Sequence, residues 1–271
     1  MKNKDYFDVL HIIDNPESVD MIQALMGNKC LGTFFKDGSA KLYFNNGLRE
    51  QLDLQLGKLL LDQTMQWSWE TQDNENWHLT WQDHFKPVVF ENKLAIIPPW
   101  AEEYPAEIII RIKPGMAFGT GHHETTWLML QQIIKYIKPN MSILDLGAGS
   151  GILSIVAKKM GAILVDSVEY DLECESNFYE NLKINKIIKG IEFHHKDVLD
   201  WHHFNYDLIL ANINLNIIQG LIPRLKVARG TILLSGILET DYETIDQLCQ
   251  EHDLQLMEKM VKGEWICLAI A

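Results

Sequence analysis

The chain has 271 residues, 47% of them hydrophobic, with 24 basic and 37 acidic side chains and a formal net charge of −13. That length allows one large domain or two unequal ones, with a core of ordinary size. The acidic balance excludes a nonspecific nucleic-acid binder, which needs a basic face to displace counterions, and it permits a basic protein partner.

The chain opens on "MKNKDYFDVL", with charges where a signal peptide would carry an apolar run. Residues 1–70 read as a small α/β unit. "YFDVLHII" is a strand. "NPESVDMIQALM" is a helix, with Pro16 in its first turn and apolar residues at a helical period. "CLGTFFKDGSAKLYFNNG" reads as two strands around an Asp37-Gly38 turn. "LREQLDLQLGKLLLDQ" is a second helix and "MQWSWETQ" a final strand. The order β-α-β-β-α-β predicts a ferredoxin-like domain.

Residues 71–105 read as a linker. It holds Trp77, Trp81 and Trp100, and Pro98-Pro99 stiffens its end. Packing of these tryptophans against a domain is preferred over direct contact with a substrate.

From 106 to 271 strands and helices alternate. "SILDLG", "AILVDSVEYD", "IEFHHKD", "YDLILANI" and "GTILLSGIL" are strands separated by helices, and "LQLMEKMV" and "EWICLAIA" close the chain as a hairpin. The pattern predicts a doubly wound Rossmann-like sheet with helices on both faces and an antiparallel end. No apolar stretch reaches ~18 residues, so no membrane span is expected. Cys30, Cys174, Cys249 and Cys267 are scattered without a C-x-x-C pair. That fits reduced thiols in a cytoplasmic protein rather than a disulfide or zinc framework.

"ILDLGAGSGIL" carries the most chemistry. A strand ends in Asp145, and Gly147, Gly149 and Gly151 follow at alternate positions before a helix. Glycine permits the sharp turn and the close approach of a ligand to the backbone. The next strand ends in Glu169, where a carboxylate can accept from both hydroxyls of a ribose. The loop lacks G-x-G-x-x-G spacing, which suits an amino-acid tail better than a pyrophosphate.

This D-x-G-x-G-x-G run with a following acid resembles the class I S-adenosylmethionine-dependent methyltransferases, whose seven-stranded sheet carries such a terminal hairpin. The resemblance implies that Gly147 and Gly149 pass under the methionine part of S-adenosyl-L-methionine, that Glu169 holds the ribose and that Asp197 of "HHKDV" sits near the adenine. A solvated strand end is the alternative for Asp197.

"AFGTGHHETTWLML", residues 117–130, precedes the glycine loop. Trp127, Leu130, Ile133, Ile134 and Ile137 repeat at a helical period, so a helix starts near His123. Its first turn offers backbone N–H groups and the hydroxyls of Thr125 and Thr126 to a negative group. No metal site is expected at His122 and His123, which are adjacent and lack an H-x-x-x-H partner. The preferred reading is a loop, with Phe118, Gly119 and Thr120, closing over the cofactor, ahead of an acid–base role.

The same segment, with "HFKP", "PPW", "LANINLNII", "LLSGIL" and "GEWICLAI", resembles the bacterial methyltransferase family of ribosomal protein L-eleven (PrmA). Together these matches cover nearly everything after residue 77. The family usually has Asp where this chain has Glu169. The resemblance implies methyl transfer to lysine or α-amino groups of ribosomal protein L-eleven, gripped by the N-terminal domain. Asn212, just past the fourth strand of the sheet, is the expected catalytic residue, its amide oxygen accepting from the amine. The residues after it, Ile213, Asn214 and Leu215, offer nothing to stack on a base, so no nucleic acid is expected as substrate. A monomer is expected. A protein lysine methyltransferase with another target and a non-catalytic S-adenosylmethionine-binding module remain the alternatives.

Overall fold

The computed structural model describes residues 6–13, 30–36, 39–59, 66–73, 86–102, 104–113, 121 and 123–271. Two compact units divide the chain, Met1–Phe85 and Lys86–Ala271.

The first unit holds strands β1 (Tyr6–Ile13), β2 (Cys30–Lys36), β3 (Ser39–Asn45) and β4 (Gln66–Asp73), and helix α1 (Arg49–Leu59). The sheet order is β2-β3-β1-β4 and every pair is antiparallel. β1 thus lies between β3 and β4, as a split β-α-β arrangement requires. The helix expected over "NPESVDMIQALM" lies outside the described residues. Alternation on β1 and β3 buries Leu10, Ile12, Ala40, Leu42 and Phe44 against Leu52 and Leu56 of α1. The start of α1 is anchored by the buried Asp8 carboxylate, which accepts from the N–H groups of Gly47 at 2.9 Å and Arg49 at 3.3 Å. Also on α1, Asp53 accepts from both indoles of Trp67 and Trp69 on β4, at 2.8 and 2.9 Å. These two bonds hold its carboxyl below the usual range.

The second unit begins earlier than the sequence suggests. Within the segment expected to be a linker, Val88–Phe90 (β5) and Leu94–Ile97 (β6) are strands. β6 pairs in parallel with β7 (Ile108–Arg111), giving a small β5-β6-β7 sheet. Phe90, Leu94 and Ile96 join Leu128 and Ile133 in one buried cluster, so residues from 86 onward belong to this unit's core. The runs "VVF" and "LAII" are too short to reveal a period, and this hid them in the sequence. Trp77 and Trp81 lie outside the described residues, and Trp100 is at the surface.

The main sheet has seven strands: β8 (Ser142–Leu146), β9 (Leu164–Glu169), β10 (Ile191–His195), β11 (Leu208–Asn212), β12 (Thr231–Leu238), β13 (Leu256–Lys262) and β14 (Trp265–Ile270). Their order is β10-β9-β8-β11-β12-β14-β13, with β14 antiparallel to both its neighbours. α2 (Glu124–Tyr136), α3 (Ile152–Lys159) and α4 (Leu172–Ile184) cover one face, and α5 (Leu215–Leu225) and α6 (Tyr242–Glu251) the other. β11 shows why the sequence reads as an unbroken apolar run. Leu208 and Leu210 enter one cluster while Ile209 and Ala211 enter the other. No helix among the described residues is long and apolar enough to cross a membrane. Strand order reverses between β8 and β11, which opens a crevice at their carboxyl ends.

Phe178 of α4 is fully buried, packs on Phe193 with ring centroids 4.9 Å apart, and lies against Gly151. Phe178→Ala is expected to destabilise this unit by about 3–5 kcal/mol through loss of buried area and the cavity left behind. Urea unfolding of the two chains side by side measures it.

Candidate functional site

The glycine loop sits at the crevice. Gly147, Gly149 and Gly151 all have positive φ, at 76°, 51° and 80°, a backbone region that disfavours side chains. Space is as restrictive as conformation. A Cβ on Gly147 would lie 2.2 Å from Ile213 Cγ2, and one on Gly151 would lie 2.7 Å from the Phe178 ring. The loop is tied to the end of β9: Gly147 N–H and Ala148 N–H both donate to the Val168 carbonyl, at 2.8 and 3.1 Å. Gly151 caps α3 without a side chain, so the first N–H groups of that helix face the loop with no side-chain acceptor.

Beneath the loop, Asp145 is fully buried. Its Oδ2 accepts from Ser154 Oγ at 2.5 Å, and Ser154 Oγ lies 2.8 Å from Ser167 Oγ. Its Oδ1 is buried with no hydrogen-bond partner among the described residues. Burial pushes the Asp145 carboxyl up to about 6; the Ser154 bonds pull it down and the nearby Glu169 charge adds to the rise. A buried acceptor without a donor is costly, and a cationic amino group is the partner that would relieve it.

Glu169 ends β9 and reaches back across the loop. Oε2 accepts from Gly149 N–H at 3.0 Å, while Oε1 accepts from Tyr170 and Asp171 N–H at 2.9 and 3.0 Å. Asp197 caps a short turn, Val198–Asp200, by accepting from Leu199 N–H at 2.8 Å. That gives it a definite structural duty beside the one expected of it. The chain ends of β9 and β10 are pinned together, with His195 Nε2 2.8 Å from the Tyr170 carbonyl.

Across the crevice, Asn212 closes β11 and its Nδ2 donates to Thr126 Oγ1 at 3.4 Å. Thr126 is fully buried in the first turn of α2. That helix starts at Glu124, where the sequence placed it, capped by His123, whose Nδ1 accepts from Thr125 N–H at 3.3 Å. His123 therefore has a capping role, and its ring meets Trp265 edge-on at 5.2 Å. The structure brings together Asp145, Gly147, Gly149 and Glu169 on one side and Thr126 with Asn212 on the other. Phe118, Gly119, Thr120 and His122 lie outside the described residues.

Sequence reasoning overlooked two members of this site. Ile213 fills the space that Gly147 leaves empty, and Gly236 lets it do so. A Cβ on Gly236 would lie 2.1 Å from the Ile213 carbonyl oxygen, and the β12–β14 register shifts at this point. The signal was present in "LLSGIL", since a glycine inside a strand marks a bulge or a close backbone approach.

The sequence of this chain matches the family model described as ribosomal protein L11 methyltransferase (PrmA) over residues 16–271. The chain belongs to that family. A ribosomal protein L11 methyltransferase of Ruminiclostridium cellulolyticum is 31% identical over 282 residues, covering 98% of this chain and 87% of the relative. One of Limosilactobacillus reuteri is 39% identical over 202 residues, covering 72% of this chain and 63% of the relative, less than two thirds of its length. A crystal structure of a ribosomal protein L11 methylase from Lactobacillus delbrueckii subsp. bulgaricus superposes with a TM-score of 0.63 at 35% identity. It covers 68% of this chain and 97% of that one. PrmA membership accounts for the seven-stranded sheet and for the motifs that meet at the β8–β11 crevice.

The buried carboxyl makes the stability of this PrmA-family fold pH-dependent. The folded-state value of Asp145 is raised, so the native chain holds this proton more tightly than the unfolded chain. The stability it contributes is complete below the unfolded value near 4 and is lost as pH rises through about 6. Asp145→Asn is expected to remove that loss, on the order of 3 kcal/mol. The difference in urea midpoint between the two proteins, followed from about pH 4 to about pH 7, reads the sign directly. A difference that stays constant with pH would contradict it.

Proposed function

We propose that this chain is an S-adenosylmethionine-dependent methyltransferase acting on lysine or α-amino groups of ribosomal protein L11. The observation that carries the reading is the match of the PrmA family model over 16–271. The site supports it, with an unpartnered buried carboxylate oxygen beneath the glycine loop and an asparagine amide at the end of β11.

The residues present fit the cofactor. Asp145 Oδ1 needs a donor, and an α-ammonium supplies one. Gly147 and Gly149 offer backbone free of side chains to the methionine part, and the open start of α3 suits its carboxylate. Glu169 would hold the ribose with the roughly one carboxylate lone-pair site that its three backbone partners leave over. Asp197 lies one strand further, towards the adenine end. Phe118, Gly119 and Thr120 belong to the segment proposed to close over the ligand, and Thr126 lines it from α2. When bound, S-adenosylmethionine supplies a methyl group already activated by its sulfonium.

The protein's own task is alignment. A long contact from Asn212 Nδ2 to Thr126 Oγ1, at 3.4 Å, favours one orientation of the amide. Its Oδ1 is left to accept an N–H of the incoming amine and to aim the nitrogen lone pair along the line of transfer. A lysine amine is ordinarily protonated at neutral pH, with a free value of about 10.4. Ile213 and the partly buried side chains beside it present an apolar wall that disfavours the ammonium. The N-terminal unit, Met1–Phe85, is proposed to grip the ribosomal protein, and the whole reaction needs no contact with nucleic acid. We place the enzyme in the cytoplasm and propose that it acts as a monomer.

Intact-mass spectrometry of purified L11 incubated with the enzyme and S-adenosylmethionine tests the activity. The expected result is mass gained in methyl-sized steps. No gain on L11 alongside labelling of another protein in a cell extract would keep the chemistry and discard the target. Labelling of nothing, with the cofactor bound, would reduce the chain to a binding module. Asn212→Ala is expected to lower kcat by about a hundredfold, the scale of losing one aligning group, while cofactor affinity in calorimetry changes little. Unaltered turnover in this variant would remove Asn212 from the mechanism.

Gly147→Ala separates the loop from the amide. It forces a side chain to φ 76° and into Ile213. Cofactor affinity is expected to fall at least tenfold, about 1.4 kcal/mol, with far-UV circular dichroism unchanged.

A further inference from the structure

Away from the crevice, β9 and the edge strand β10 bring three metal-ligating side chains onto one face. Asp166 is opposite Glu192 in the parallel register, and His194 follows two residues after Glu192. One ligand atom from each lies within 4.8 Å of the others. His194 Nε2 is 2.8 Å from Asp166 Oδ1. None of these residues takes part in the reaction proposed above.

The group gathers two carboxylates around one imidazole. Asp166 is 8% exposed, and a carboxylate that deep needs a cation or a dense set of donors. Glu192 places a second negative charge beside it. Among the described residues, the ion pair to Asp166 comes from His194 and none reaches Glu192. Glu192 is exposed and solvated, so it is the buried Asp166 that the single imidazole has to balance. Around the group, the side chains are already set. Tyr206 donates its hydroxyl to Asp166 Oδ2 at 2.7 Å, leaving Oδ1 to face His194. The His194 ring is held against Trp201 with centroids 4.9 Å apart. Outer hydrogen bonds and packing of this kind orient metal ligands.

We propose that Asp166, Glu192 and His194 bind a divalent transition-metal ion of the zinc class, with water completing the coordination. The ligand chemistry selects the class. Two carboxylate oxygens and one imidazole suit zinc, whereas calcium and magnesium favour sites made of oxygen alone. The geometry is close to what such an ion needs. At bond lengths of about 2.1 Å, tetrahedral ligand atoms stand about 3.4 Å apart. The Asp166–His194 pair has only to open by a little over half an ångström, and the exposed Glu192 side chain is free to swing in. Three protein ligands on two strands would cross-link the edge strand to the sheet. Asp166 lies three residues before Glu169 and His194 three before Asp197, so the ion would brace the strand ends that carry those acids. Its effect is on the stability of this edge, and no step of methyl transfer passes through it.

Zinc titrated into the full chain against a chromophoric chelator tests the site. One equivalent is expected to bind. Affinity should drop at least tenfold in Glu192→Gln and likewise in His194→Gln, and remain unchanged in the His202→Gln, His203→Gln double variant. Glu192 is exposed, so Glu192→Gln folds even if changes at Asp166 do not. Zinc is also expected to raise the Tm of the wild-type chain and to leave that of Glu192→Gln where it was. Absence of stoichiometric binding overturns the proposal. So does equal affinity in wild type and either ligand variant, and so does loss of binding in the His202, His203 variant.

Discussion

Where β8 and β11 end side by side, the backbone at Gly147 approaches the side chain of Ile213 so closely that no Cβ fits between them. The strand-order reversal separates the connections leaving β8 and β11, and the loop from β8 then turns down over the next strand instead of away from it. Gly236 completes the arrangement from β12, since its missing side chain admits the Ile213 carbonyl. Two glycines, one in the loop after β8 and one within β12, thus make room for one isoleucine next to Asn212.

The same loop explains why a charge is tolerated under it. Asp145 is buried with one oxygen bonded to Ser154 and the other without a donor among the described residues. An isolated carboxylate in that place would be expelled or protonated, and its raised affinity for a proton shows this tension. In the proposed reading a cationic group of the ligand would relieve it, so that part of the ligand's recognition would be held as local strain of the kind that natural sites retain for function. The acid is set by β8, whose neighbouring residues Leu144 and Leu146 are locked in the core, so it cannot move out of the way.

Much of this is readable in the residues, for identifiable physical reasons. The alternation of strands and helices from Ser142 onward shows because most of the helices have an apolar stripe and the central strands β8, β11 and β12 are compact apolar runs. The loop after Asp145 is legible because glycines at alternate positions mark a backbone that turns sharply or is approached closely. The start of α2 at Glu124 follows from the spacing of Trp127, Leu130 and Ile133. What stays hidden is whatever depends on pairing. β5 and β6 are too short to show a period and gain their identity from β7. The grouping of Asp166 with Glu192 and His194 exists only because β9 and β10 lie in register; in the sequence they are 26 and 28 residues apart. The His194-His195 pair points to nothing by itself, because adjacent strand residues face opposite sides. Gly236 lies between these cases: a glycine within a strand signals a close approach, but only the fold shows that Ile213 is what approaches.

Glu169 shows how a single methylene alters a site. An aspartate at the end of β9 would leave its carboxylate near its own strand. The longer side chain spans twenty residues of sequence to accept from Gly149 N–H, while its other oxygen holds the N–H groups of Tyr170 and Asp171. The loop is thereby fastened to β9 twice, once through the Val168 carbonyl and once through this carboxylate. In the proposed reading the ribose hydroxyls must share an acceptor already engaged with three donors. A carboxylate has about four lone-pair sites, so sharing is possible, although each added donor competes with the others. A glutamate rather than an aspartate at this place therefore exchanges some freedom for the ligand against rigidity of the loop that would receive it. Rigidity favours binding when the fixed geometry is the productive one, because less has to be ordered on association. The close fit of Gly147 on Ile213 and the clamp from Glu169 act in the same direction, each holding the loop in place before any ligand arrives.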